Sequence, residues 1–154
     1  MNQKLNSHQK SIIRNYYLNQ NELLKLNSSR LAQFLESKGF PTYRKGESCG
    51  ANVGEALIDF GIDGLPNYGR DGYKWTEILD KNKYFRKVSI SDPNNAYPGG
   101  ILVYDRGFSN NKMRKTYGHV EIKTNEGFWS GGKQKYKAGL NIKDGFVAYV
   151  YYLK

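Results

Sequence analysis

The order of hydrophobic patterns along the chain constrains the fold more than any other feature. Apolar residues recur at three- and four-residue spacing within residues 7–39 and again within 49–60, which predicts helices. After residue 85, short apolar runs and period-two alternation separated by tight turns predict strands. Helices first and strands after them predict an α+β fold, with N-terminal helices packed on an antiparallel β-sheet.

The N-terminal pattern predicts more than one helix. Asn19–Asn21 and Asn27–Ser29 interrupt its apolar stripes, and Gly39 is placed to end the last helix as a C-terminal cap. With 154 residues, the chain has the size of one domain. We therefore interpret residues 1–38 as a helical extension and 39–154 as the core of a single domain.

The only cysteine, Cys49, stands where a helix is predicted to begin. Ser48 is a suitable N-cap, and Val53 and Leu57 form an apolar face on the following turns. Free amides and the helix dipole lower the pKa of a thiol held at such a position and favour the thiolate. The alternative is that Cys49 is a small buried hydrophobic residue, as most free cysteines are.

Three segments in the second half have strand patterns. Residues 100–105 form an apolar run fit for the middle of a sheet, and residues 146–153 predict a final strand. Residues 117–123 alternate, which places His119 and Glu121 on one face, and a hairpin turn follows at 125–127. The residues from 106 to 115 are predicted as a basic loop.

Charge and composition restrict the classes of partner and cofactor. The net charge of +10 attracts polyanions such as nucleic acid, acidic lipid or an anionic bacterial wall. One cysteine cannot form an internal disulfide, and the two distant histidines show no metal-ligand spacing, so we expect no metal and no cofactor. No apolar run reaches the length of a membrane span, and the first residues do not form a secretory signal peptide, so we expect no membrane partner.

Cys49 and His119 together are the two parts of a cysteine hydrolase that a sequence can show. The imidazole deprotonates the thiol and later protonates the leaving amine, while a third polar group orients the ring. The two residues are 70 positions apart, so only folding can join them. The alternative for His119 is a partly buried, hydrogen-bonded strand residue, and we favour catalysis because both residues occur together.

The ordered set of Cys49 on a helix, residues 98–104 (PGGILVY) and residues 117–122 (YGHVEI) resembles the NlpC and CHAP families of papain-like peptidoglycan hydrolases. The resemblance covers about residues 45 to 130 and implies a nucleophile helix packed on an antiparallel sheet. It implies that Cys49 is the nucleophile and His119 the base. Ile101 stands where NlpC members usually have Asp, which moves the match toward CHAP or a divergent amidase.

The resemblance also implies a third catalytic group on the strand after the histidine. Ser130 is our first choice, because the hairpin brings it near His119, while Asn125 and Glu126 lie in the turn. A Cys–His dyad, or a backbone carbonyl that orients the ring, is equally compatible with the sequence. Glu121 lies roughly 6 to 7 Å from His119 along the strand, which suits substrate binding better than contact with the ring.

The remaining site residues are expected around the nucleophile. The Cys49 amide would hold the oxyanion, with a second donor from the preceding loop, where Tyr43 is one candidate and packing is its alternative role. Arg and Lys at the rim would suit the free carboxylates of a wall peptide. The predicted substrate-binding residues are Tyr43, Arg70, Tyr73, Trp75 and Glu121.

These expectations lead to a cysteine amidase or endopeptidase that cuts peptidoglycan stem peptides. Without a signal peptide, we expect it to be made in the cytoplasm and to act in the periplasm or wall of a target bacterium. It would be a type VI secretion amidase effector with a cognate immunity protein, or a phage lysis enzyme. Two rivals remain: a non-catalytic basic module that binds nucleic acid, and a cysteine acyltransferase or protease acting on host proteins.

Overall fold

The computed structural model describes residues 4–66, 71–106, 112–134 and 149–154, and it has an α+β architecture. The predicted class, helices packed on an antiparallel sheet, is confirmed. The helices are α1 (Ser7–Ser37), α2 (Cys49–Phe60), α3 (Trp75–Asp80) and α4 (Lys112–Tyr117), with 3₁₀ turns at Gly72–Lys74 and Pro93–Asn95. The strands are β1 (Phe85–Val88), β2 (Ile101–Tyr104), β3 (His119–Thr124), β4 (Gly127–Trp129), β5 (Lys133–Gln134) and β6 (Tyr149–Leu153).

The six strands form one sheet in the order β1-β6-β2-β3-β4-β5, with antiparallel pairing throughout. Strand β2 lies between β3 and β6, so the prediction of a central strand at 100–105 is confirmed. The predicted hairpin joins β3 to β4, with Ile122 opposite Trp129. Within the predicted final strand, β6 is described and residues 146–148 lie outside the described residues.

Both faces of the sheet are buried. On one face, Val103 and Val120 pack against α2 through Val53 and Leu57, and α1 adds Leu31 and Leu35. The other face carries a second apolar cluster that includes Leu102, Tyr104, Phe128, Val150 and Tyr152. Because neighbouring residues of a strand point to opposite faces, His119 and Glu121 lie on the face of Tyr104, as the alternation predicts.

The N-terminal region is one continuous helix, so the prediction of separate helices was wrong. The polar residues that suggested breaks are accommodated inside α1: the Ser28 hydroxyl accepts a hydrogen bond from the Leu153 amide at 3.0 Å, and Ser29 donates to the Leu26 carbonyl. Gly39 follows the helix with φ +70°, which confirms it as the C-terminal stop. The prediction of a loop at 106–115 is wrong for residues 112–115, which belong to α4, a six-residue helix too short to show a periodic signal. Residues 107–111 lie outside the described residues.

Candidate active site

Helix α2 positions the thiol. Cys49 is its first residue, and the Ser48 side chain accepts a hydrogen bond from the Ala51 amide at 3.3 Å, which confirms the predicted N-cap. The helix ends at Gly61, whose φ of +112° is the left-handed conformation that favours glycine. Cys49 is a free cysteine and is partly exposed.

Strand β3 positions the imidazole. His119 is the first residue of β3 and pairs with Tyr104 at the end of β2. A Cβ atom on Gly72 would lie 2.4 Å from both the Cα and the N of His119, so the 3₁₀ turn packs directly on this part of the strand. The backbone of His119 therefore lies against the turn, and only 8% of the residue is exposed.

The fold brings the thiol and the imidazole into contact. The Cys49 thiol lies within interaction range of the His119 ring and of the Val120 and Gly50 amides. Burial opposes ionisation of the thiol, but its interaction with the His119 side chain and the charge of that ring outweigh burial and lower the pKa of Cys49. Burial likewise opposes protonation of the ring, but the contacts and charges of Cys49 and Glu121 raise the pKa of His119 to about 9. Both shifts favour the charged forms, the Cys49 thiolate and the His119 imidazolium.

Glu121 lies at the far side of the His119 ring. Its Oε2 is 3.4 Å from Nε2 of His119, and its Oε1 accepts a hydrogen bond from the Tyr104 hydroxyl at 2.5 Å. Since Nε2 faces this carboxylate, Nδ1 is the ring nitrogen that remains for the sulfur. Glu121 is 0% exposed, so its predicted contact with substrate is wrong. The side chain is long enough to reach back to a ring two residues away.

Ser130, our first choice as the third group, lies in the bend after β4 and is half-buried. Nε2 of His119 faces the Glu121 carboxylate instead, so the structure places Glu121, not Ser130, at the position that orients the ring. Asn125 and Glu126 are exposed in the hairpin turn, six and seven residues along from His119. At about 3.3 Å per residue, this places the turn roughly 20 Å from the imidazole.

Asn52 is a site residue that the sequence analysis missed. It is 2% exposed, and its Oδ1 accepts hydrogen bonds from the Tyr43 and Arg44 amides, each at 3.0 Å. Its Nδ2 donates to the carbonyls of Arg44 and Ser48, each at 3.2 Å. One buried amide therefore ties the loop before Cys49 to the first turn of α2. A polar residue on the buried side of a helix was the sequence signal for this role.

Tyr43 is part of the loop before Cys49 that Asn52 holds in place, and not of a surface that binds substrate. Its amide is already bonded to Asn52, and its hydroxyl donates to Asp59 at 2.7 Å. Asp59 is ten residues along α2 from Cys49, about 15 Å at the helical rise. The predicted oxyanion and substrate contacts of Tyr43 are therefore wrong, and its alternative role in packing agrees with the structure.

Among the other predicted groove residues, only Tyr73 is described and partly exposed. Arg70 lies outside the described residues. Trp75 is 0% exposed within the core, and its ring touches Gly54, so its predicted place in the groove is wrong. The Tyr73 backbone lies against Gly118, next to His119, and the Arg106 guanidinium stacks 4.4 Å above the Tyr73 ring. Arg106 is an exposed cation at this edge that the sequence analysis had not singled out.

The described residues contain no cluster of three or more His, Cys, Asp or Glu side chains that would hold a metal ion. Sulfur, imidazole and carboxylate are the set of groups needed for acyl transfer through a thioester. Comparisons with protein-family models, with curated proteins and with solved structures found no match to this chain.

Proposed function

We propose that the protein is a cysteine amidase or endopeptidase that hydrolyses amide bonds of peptidoglycan stem peptides. The observation that carries the proposal is the line of contacts from Cys49 through the His119 ring to the buried Glu121 carboxylate. A nucleophile, a base and a group that orients the base are the parts this reaction needs. The wall substrate is supported by the resemblance of residues 98–104 and 117–122 to NlpC and CHAP segments.

In the proposed mechanism, the Cys49 thiolate attacks the carbonyl carbon of the scissile amide. The negative charge moves to the carbonyl oxygen, where amides at the start of α2 stabilise it. His119 gives its proton to the leaving amine, and the carbon–nitrogen bond breaks to leave a thioester on Cys49. A water molecule then loses a proton to His119 and attacks the thioester, which releases the acid product and restores the Cys49 thiolate beside the protonated ring.

Glu121 acts in this proposal as a positioning residue. Its carboxylate favours the protonated ring and keeps Nε2 directed away from the sulfur, so Nδ1 faces Cys49. The Tyr104 hydroxyl holds the other carboxylate oxygen. Tyr73 and Arg106 form the proposed substrate edge, where the stacked guanidinium would bind a free carboxylate of the stem peptide.

The observed packing supports a hydrolase over the nucleic-acid module. A sheet that stacks bases needs exposed aromatic rings. Three of the four sheet tyrosines in the described residues, Tyr104, Tyr151 and Tyr152, are buried, and Tyr149 is half-buried. The Tyr151 hydroxyl donates to Asp80 at 2.6 Å. These tyrosines serve the core of the protein.

The test is digestion of purified peptidoglycan by the wild type, Cys49→Ala and Ser130→Ala, with the released fragments identified by mass spectrometry. We expect the wild type and Ser130→Ala to release the same fragments, and Cys49→Ala to lose activity by about a thousandfold or more, since the nucleophile is absent. The fragment masses identify the bond that is cut. Equal release by Cys49→Ala, or no release by a folded wild-type protein, would exclude the proposal.

A further inference from the structure

Helix α1 has two halves with different surroundings. Its second half is part of the body of the protein, where Leu24, Leu31 and Leu35 are at most 5% exposed. Its first half exposes large apolar side chains: Ile12 55%, Ile13 39%, Tyr16 60%, Tyr17 64% and Leu23 48%. We call these five residues the apolar face of α1. They account for nearly half of the exposed large hydrophobic residues in the described part of the chain.

The apolar face lies opposite a group of cations. At 3.6 residues per turn, the five residues of the apolar face fall within an arc of about 140° around the helix axis, with Tyr17 at the edge nearest Lys10. Lys10, Arg14 and Lys25 fall within an arc of about 60° on the other side. From Ser7 to Asn27 the helix carries three Lys or Arg residues and a single acidic residue, Glu22. Leu18 is the exception, since it lies on the cationic side.

We propose that the apolar face of α1 docks on the surface of an anionic lipid bilayer. A helix with one apolar side, a basic polar side and aromatic residues lies in the interface, with its apolar side chains among the acyl chains and its cations at the anionic headgroups. Tyr16 and Tyr17 have the apolar ring and polar tip that suit the headgroup level. The net charge of +10 draws the whole molecule toward the same surface.

A lipid bilayer docked on α1 differs from our expectation of no membrane partner. That expectation rested on the lack of an apolar span, and no helix in the described residues has the length and apolar character to cross a bilayer. Interfacial docking needs only one apolar side. A second copy of the chain fits the face less well, because each copy carries a charge of +10 and two basic helices would repel one another.

The test uses the full chain and co-sedimentation with two kinds of vesicle, phosphatidylcholine alone and phosphatidylcholine mixed with phosphatidylglycerol. We expect binding to the mixed vesicles only, and weaker binding as salt is raised. The variant I12S/Y16S should lose at least about tenfold in affinity, because two side chains no longer enter the apolar layer. Its matched control is Ile58→Ser, which changes an exposed apolar residue on α2 and should bind as the wild type does.

A second pair of variants tests the cations. K10Q/R14Q should reduce affinity for the mixed vesicles by about 25-fold, from roughly fivefold for each of the two charges removed near the surface. K45Q/R86Q removes two exposed charges from the body of the protein and should have the smaller effect. Thermal unfolding of all four variants confirms that the fold is retained, since every substituted side chain is exposed.

Three results would overturn the proposal. The first is no binding of the wild type to the mixed vesicles. The second is equal binding by I12S/Y16S and the wild type. The third is a dimer in sedimentation equilibrium that I12S/Y16S dissociates, which would make a second copy the occupant. The docking does not depend on Cys49, so Cys49→Ala should bind vesicles normally, and failure of the hydrolase proposal leaves this result unchanged.

Discussion

Glu121 is, with Cys49, one of the two residues whose contacts and charges raise the pKa of His119. A buried carboxylate is stable only when its oxygens have partners, and Glu121 has the Tyr104 hydroxyl on one oxygen and the His119 ring near the other. Its negative charge favours the imidazolium over the neutral ring. The sequence analysis placed Glu121 too far away because it used the spacing of Cα atoms, whereas a glutamate side chain spans the gap.

The substitution Glu121→Gln tests this coupling through the pH dependence of the rate. The imidazolium is present below the pKa of His119, about 9, so the wild-type rate should fall as pH rises through that value. Removing the negative charge destabilises the imidazolium and lowers this pKa, so the alkaline limb should move to lower pH. We also expect kcat to fall by about tenfold or more, since the ring is less well oriented.

The measurement is kcat/KM for wall-fragment hydrolysis as a function of pH. The control is Glu126→Gln, which changes a carboxylate in the exposed hairpin turn and should leave the alkaline limb in place. An unchanged alkaline limb in Glu121→Gln would show that this carboxylate does not set the pKa of His119.

The 3₁₀ turn at Gly72–Lys74 lies outside the sheet and packs against the backbone of His119, the first residue of β3. The approach is so close that a Cβ on Gly72 would lie 2.4 to 2.6 Å from three backbone atoms of His119. Backbone atoms cannot move aside as a flexible side chain can. A side chain at this position must therefore displace either the turn or the first residue of β3.

Gly72→Ala should consequently destabilise the protein by about 1–3 kcal/mol, as overpacking of a tight contact does. It should also lower hydrolytic activity, because His119 moves with its backbone. Urea unfolding provides the stability measurement. Gly132→Ala is the matched control, since a Cβ there meets nothing within 4 Å and should change stability by less than about 0.5 kcal/mol. Equal stability of the two variants would contradict the observed contact.

The ends of helices were predicted better than their continuity. Ser48 and Gly39 act locally through a hydrogen bond or left-handed backbone, so a sequence of a few residues was enough to identify them. The continuity of α1 through Ser28 depends on the amide of Leu153, which is 125 residues away. No local pattern contains that partner.

At the scale of the whole molecule, the second half of α1 is part of the central core. Leu31 is 0% exposed and belongs to the same cluster as Val53 of α2 and Val120 of β3. Leu26, on the same helix, is 55% exposed. Helix α1 thus connects its own exposed first half to the part of the protein that carries the candidate site.

Leu31→Ala should destabilise the protein by about 3 kcal/mol, from lost burial and the cavity left in the core. Leu26→Ala should change stability by less than about 0.5 kcal/mol. Chemical denaturation of both variants measures the difference. A small effect of Leu31→Ala would show that α1 adds little to the stability of the body.

The sequence by itself determined the α+β class, the helix caps, the central strand and the face shared by His119 and Glu121, because these follow from local periodicity and short-range hydrogen bonding. Only the tertiary structure decided which groups meet: Cys49 with His119, Glu121 with Nε2, and Asn52 with the loop before the nucleophile. The burial of Trp75 in the core and the hydrogen bond from the Tyr43 hydroxyl to Asp59 were likewise decided by packing. The physical reason is that each of these contacts depends on the direction and the length of the side chains that meet. The spacing of residues along one element determines neither of these two properties.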